Sequence, residues 1–132
     1  MKVPFNINLS GKTAIVTGGS GTLCSAMAYG LAVSGAKVAI IGRNIEKLAS
    51  VSEKLTKNAL DEYNKDVTIK GYSCNVINKD ELTAAYETIK NELGSCDILI
   101  NGAGGNQPGA ITSIEMLKKE KEDSDYSFWN LD

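Results

Sequence analysis

Two hydrophobic rhythms alternate along this chain. "KTAIVT" (12–17) and "KVAII" (37–41) are short apolar runs that stop at glycine, which predicts two buried strands. Between them, apolar and small residues continue without proline from Leu23 to Ser34 and stop at Gly35, the pattern of a helix closed by glycine. Ile45, Leu48, Val51 or Ser52, Leu55 and Ala59 then recur at helical steps with lysines and glutamates between them, predicting an amphipathic helix. "VTIKGYSC" (67–74) alternates as a third strand. Asn78, with Glu81 three residues on, makes a capping-box start for a helix carrying Leu82, Ala85, Tyr86, Ile89 and Leu93, and Gly94 ends it. "DILI" (97–100) is a fourth strand running into "NGAGGNQPGA".

The order β-α-β-α-β-α-β predicts an α/β fold: a Rossmann-like parallel sheet with helices on both faces, about four strands, the N-terminal half of a doubly wound fold. From Ser113 the composition changes to a charged stretch that turns aromatic at Phe128 and Trp129, a short helix, a tail that docks on the body or a frayed terminus.

Composition narrows the function classes. With 132 residues, 42% of them hydrophobic, the chain can bury one core. A net charge of −2 offers no electrostatic case for nucleic acid or anionic membrane. No apolar run approaches the roughly eighteen residues of a membrane span, and the N-terminus lacks a signal peptide's apolar centre. Histidine is absent, and Cys24, Cys74 and Cys96 are odd in number and widely spaced, which disfavours a metal site or a histidine-dependent triad. Three buried thiols in a reducing, cytoplasmic setting are expected.

Two phosphate loops compete in the N-terminal third. "SGKT" (10–13) has Asn6 where the nucleotide-triphosphatase loop needs glycine, and it leads into a strand rather than a helix, so it is rejected. "TGGSG" (17–21) follows the first strand and opens the first helix. There, glycines permit a tight turn, and helix N-terminal amides favour a pyrophosphate.

"VTGGSGTLC" (16–24) resembles the TGxxxGxG loop of the short-chain dehydrogenases/reductases, and "NGAG" (101–104) resembles their NNAG motif. "GRN" (42–44) and "CNVIN" (74–78) fall where that family reads ribose and adenine. "TGGSGTLCSAMA" with "LINGAGGNQP" looks closest to the branch of mannonate and fructuronate oxidoreductases, which act on sugar acids. The resemblance implies a dinucleotide site built from Gly18, Ser20, Gly21, Thr22, Leu23, Arg43, Asn44, Asn75, Val76, Asn101, Gly102, Ala103 and Gly104. Thr22 and Cys24 stand where the family has glycine. The expectation is a working loop whose helix sits slightly farther out to hold the cysteine.

After the second strand, an NAD site usually presents a carboxylate to the ribose 2′-hydroxyl. Here Gly42 is followed by Arg43 and Asn44, and no acid precedes Glu46. A guanidinium suits a 2′-phosphate, which favours NADP(H) and leaves NAD(H) open. Asn75 stands where the family has aspartate near adenine, and its amide oxygen can still accept.

The family's catalytic tyrosine and lysine form YxxxK, with a serine upstream, beyond the fourth strand. After Gly104 the sequence holds one tyrosine, Tyr126, with Asn130 four places on. Tyr86 and Lys90 have the spacing but are expected on the outer helix, away from the nicotinamide. No residue is therefore assigned a catalytic role. Residues 1–112 read as a dinucleotide-binding half-domain and 113–132 as a charged tail leading toward a catalytic half. The intact parent would move hydride between a nicotinamide and a carbonyl or alcohol substrate, while the 132 residues alone would not turn over. The alternative is a non-enzymatic dinucleotide sensor or interaction module. An unpaired apolar sheet edge, or the helices beside it, predicts self-association.

Overall fold

A computed structural model describes residues 7–105. Seven elements alternate: β1 (Thr13–Thr17), α1 (Thr22–Val33), β2 (Lys37–Gly42), α2 (Ile45–Tyr63), β3 (Ile69–Ser73), α3 (Lys79–Leu93) and β4 (Ile98–Asn101). The strands form one sheet in the order β3-β2-β1-β4, and every pairing is parallel. The anticipated Rossmann-like half is therefore present. The proposed division at residue 112, and Tyr126, Phe128 and Trp129, lie outside the described residues.

Alternation along each strand sorts the core into two layers. Ala14, Val16, Val38 and Ile40 face α1 and α2, where they meet Ala28, Tyr29, Leu48 and Leu55. Ile15, Ala39 and Ile41 face α3 and meet Ile89 and Leu93. Val16, Val38, Ile40, Ile41, Leu48 and Ile89 are the largest fully buried side chains. Each is worth about 1.5–3 kcal/mol relative to exposure, so the sheet and its two helical layers hold one another in place.

Three sequence expectations shift in detail. The second helix runs beyond Ala59 to Tyr63 and ends at Asn64, which takes the left-handed conformation with φ of 51°. Asparagine can do there what glycine usually does, because its short polar side chain tolerates αL. Cys24 and Cys74 are buried as expected, but Cys96 is only half-buried, since it lies just before the β4 edge. The sheet also has two unpaired edges among the described residues, β3 and β4, rather than one.

Strand order places the site. The chain runs outward from β1 through β2 to β3 and then returns to lay β4 on the other side of β1. That reversal between β1 and β4 leaves a crevice at their C-terminal ends, where parallel α/β sheets bind ligands. Register brings Thr17 level with Ile41 on one side and Asn101 on the other.

Candidate dinucleotide-binding site

The turn after β1 is built on Gly18, whose φ of 67° is a conformation that side chains rarely adopt. A Cβ there would lie 2.7 Å from the carbonyl oxygen of Gly102, so the turn and the loop after β4 touch backbone to backbone. The Gly21 amide donates to the Gly18 carbonyl at 2.9 Å, and the Gly19 amide to Ile41 at 3.2 Å, closing the turn against β2.

Helix α1 then begins with Gly21 at its N-cap, no side-chain cap and no acid in its first turn. The first helical hydrogen bond runs from the Ser25 amide to the Gly21 carbonyl, at 2.8 Å. Among the described residues, the amides of Ser20, Thr22, Leu23 and Cys24 take no protein acceptor. The other two helices differ. Asn44 Oδ1 accepts from the Lys47 amide to cap α2, and Asn78 Oδ1 accepts from the Asp80 and Glu81 amides to cap α3. Open amides at the positive end of a helix dipole, beside a glycine turn, are an anion receptor.

One site residue escaped the sequence reading. Thr17 is buried, and its Oγ1 accepts from the Gly102 amide at 3.0 Å and the Ala103 amide at 3.1 Å. That single oxygen fastens the loop after β4 to the end of β1. The sequence signal was Thr17's place in the TGxxxGxG register, but nothing local shows what its hydroxyl reaches.

The remaining predicted residues all come to the C-terminal edge of the sheet. Arg43 is exposed after β2, and its carbonyl accepts from Ser73 Oγ at 3.2 Å, which ties the ends of β2 and β3. Asn44 already has one side-chain oxygen committed to its own helix. The Asn75 amide donates to Glu81 Oε2 at 2.9 Å, and Asn75 Oδ1 accepts from the Ile77 amide at 3.3 Å, so this loop is braced from α3. Beside it, burial first and the Glu81 charge second push the Cys74 thiol up, which keeps it protonated and unreactive.

A cavity of about 510 Å³ runs between α3 and the β1–β4 side of the sheet, lined in part by Thr17, Val76, Tyr86, Asn101 and Ala103. Of the predicted residues, Val76, Asn101 and Ala103 belong to that lining, while Gly18, Ser20, Gly21, Thr22, Leu23, Arg43, Asn44, Asn75, Gly102 and Gly104 lie outside it. Tyr86 lines this cavity because α3 packs on the face of the sheet that the cavity shares. A larger hollow of about 840 Å³ lies between α2, β3 and α3, and includes none of the predicted residues. No cluster of metal-ligating side chains occurs among the described residues.

The family profile described as short chain dehydrogenase matches residues 12–123. The uncharacterized oxidoreductase UxuB of Bacillus subtilis is 42% identical over 130 residues, covering 98% of this chain and 44% of that protein. A Haemophilus influenza crystal structure, assigned to a D-mannonate oxidoreductase and holding NAD, superposes with a TM-score of 0.71 at 34% identity, over 96% of this chain and 43% of that one. L-Sorbose reductase from Gluconobacter frateurii, complexed with NADPH and L-sorbose, superposes with a TM-score of 0.70 at 25% identity, over 88% of this chain and 41% of that one. The chain thus spans less than half the length of these relatives.

Proposed function

Because this chain belongs to the short-chain dehydrogenase family, we propose that it supplies the NADP(H)-binding part of an oxidoreductase acting on a sugar acid. The fold and the family support binding of a nicotinamide dinucleotide, and relatives hold either NAD or NADPH. The observation that carries the reading is the uncapped mouth of α1, with its open amides over the Gly18 turn. Gly18, Ser20, Gly21, Thr22 and Leu23 would hold the pyrophosphate. Arg43, exposed beside a glycine rather than an acid, would pair with a 2′-phosphate. Val76 and Asn75 would line the adenine, and Asn101, Gly102, Ala103 and Gly104 would lie along the ribose.

When bound, the nicotinamide carries hydride to or from a carbonyl or alcohol carbon. This chain's residues orient it and contribute no acid or base of their own, since no serine with a following YxxxK stands after β4. The proposal is therefore binding without turnover by the 132 residues alone, in a cytoplasmic setting. The sugar-acid substrate is inferred from the Haemophilus neighbour. The β4 edge is proposed to meet a second copy of the chain.

The test is a titration of the purified chain with NADPH and with NADH, followed by nicotinamide fluorescence. Tighter NADPH binding is expected, and Arg43→Ala should weaken NADPH about tenfold or more while changing NADH little, the loss of one charge-assisted pair. Failure of both nucleotides to bind would refute the reading, and tighter NADH would refute the role of Arg43.

A further inference from the structure

Two departures from the glycine-loop and NNAG patterns touch each other. Cys24, the third residue of α1, stands where the first pattern has glycine, and Gly102 stands where the second has asparagine. Cys24 is buried, and a Cβ built on Gly102 would overlap the Cys24 sulfur. The same Cβ would lie 2.9 Å from the Thr17 carbonyl oxygen but an ordinary 3.6 Å from the Cys24 Cβ. The sulfur thus fills the volume that a side chain at 102 would need. Room for the cysteine comes from the loop after β4.

We propose that Cys24 and Gly102 are a matched pair that sets the spacing between the open amides of α1 and the loop after β4. Cys24 is then a positioning residue for the dinucleotide, acting through the backbone rather than touching the ligand. Three contacts converge on this seam: Gly18 against the Gly102 carbonyl, Thr17 Oγ1 on the Gly102 and Ala103 amides, and the Cys24 sulfur over Gly102 Cα. The first two fix the loop to the turn, and the third fixes it to the helix. A side chain at 102 must therefore displace the sulfur and also press on the Thr17 carbonyl, or move the loop, and in either case the amides move relative to Asn101 and Ala103. The functional half of this inference rests on the dinucleotide reading, whereas the packing half does not.

The experiment is a double-mutant cycle on the full chain with Gly102→Ala, Cys24→Ala and the double variant, read by urea denaturation and by NADPH titration well below each midpoint. Alanine at 24 keeps the Cβ and a good helix former while removing only the sulfur. Alone, Cys24→Ala should lower stability slightly, by loss of a packed atom. In the Gly102→Ala background the same change should raise it, a reversal of sign that only a direct clash produces. NADPH affinity should fall about tenfold in Gly102→Ala, the worth of one displaced amide–phosphate hydrogen bond, and recover in part in the double variant, because the alanine Cβ still lies 2.9 Å from the Thr17 carbonyl.

Additive stability effects, or a harmless Gly102→Ala, would overturn the pair. Stability that shows the reversal while NADPH affinity stays level across all four proteins would overturn the positioning role. A wild-type chain that shows the reversal but binds no dinucleotide would refute the binding reading and leave the packing pair standing.

Discussion

Thr17 does with one oxygen what the loop after β4 cannot do for itself. Its hydroxyl, on a buried side chain, takes the Gly102 and Ala103 amides of an exposed loop. Thr17→Val keeps the shape and removes the acceptor, so the two amides exchange a fixed protein partner for solvent. Because both amides sit on exposed residues that water can reach, the expected cost is about 0.5–1.5 kcal/mol, seen as a lower urea midpoint at unchanged slope, with Thr17→Ser recovering most of it. A valine variant as stable as the parent would contradict the seam. The sequence shows why such residues are hard to find. Thr17 reads as the last residue of an apolar strand, and its partners lie 85 and 86 positions away. Cys24 and Gly102 are hidden in the same way: each looks like a lone departure from a motif, and only the fold shows that they share one volume.

At the level of elements, the three helices differ in how they begin. Asn44 and Asn78 cap α2 and α3 with their own side chains, while α1 starts on a glycine with its amides open. A side-chain acceptor at an N-cap normally adds stability, so the uncapped start costs the fold something that a bound anion can supply. Gly21→Asp tests this. Gly21 has the extended φ of −79° and ψ of 158° that any N-cap residue adopts, and its Cβ would meet only the Gly18 carbonyl, at 3.2 Å. The apo variant should match the parent to within about 1 kcal/mol, because a carboxylate gained at the dipole offsets the tight fit. Dinucleotide affinity should fall at least about a hundredfold, since that carboxylate takes the amides and repels the pyrophosphate. Equal affinity by fluorescence titration would remove α1 from the site.

The same comparison explains what the spacing revealed. Asn78 and Glu81 stand three apart, so the α3 cap was readable, although Glu81 turns out to brace the Asn75 amide and the Asn78 side chain together. The end of α2 was not readable, because Asn64 in a left-handed conformation leaves no glycine to mark it. The face on which α3 packs depends on strand order, which a local pattern does not carry.

For the whole molecule, the two ends of the sheet answer to different conditions. At the N-terminal end, Asp97 accepts from the Thr13 amide at 2.9 Å and the Lys12 ammonium at 3.1 Å, joining the approaches to β1 and β4. The Thr13 hydrogen bond first, and Lys12 second, hold its carboxyl below the usual 3.8. Lys70 and Tyr72 likewise hold Glu92 below the usual 4.5. A depressed carboxylate stabilises the fold above its unfolded pKa, and the contribution is lost as pH falls through the folded one. At the alkaline side, burial raises Cys74 above 9.0, and burial with the Glu62 hydrogen bond pushes Tyr29 up to about 12. Raised groups stabilise below their unfolded pKa and lose that contribution as pH rises. With no histidine in the chain, stability by urea denaturation should be level from about pH 4.5 to 9 and fall on both sides. Asp97→Asn should flatten the acid limb, and an unchanged limb would exclude Asp97 as its source. The β4 strand itself carries an apolar flank. Leu99 is 57% exposed on the last strand, beside Tyr86 on the cavity wall, and the β4 edge has no paired neighbour among the described residues. An open parallel edge with an apolar flank is a template for a second chain. Leu99→Lys should therefore weaken concentration-dependent association in sedimentation velocity. A parent chain that stays monomeric across the accessible concentrations would show that this flank does not meet another copy.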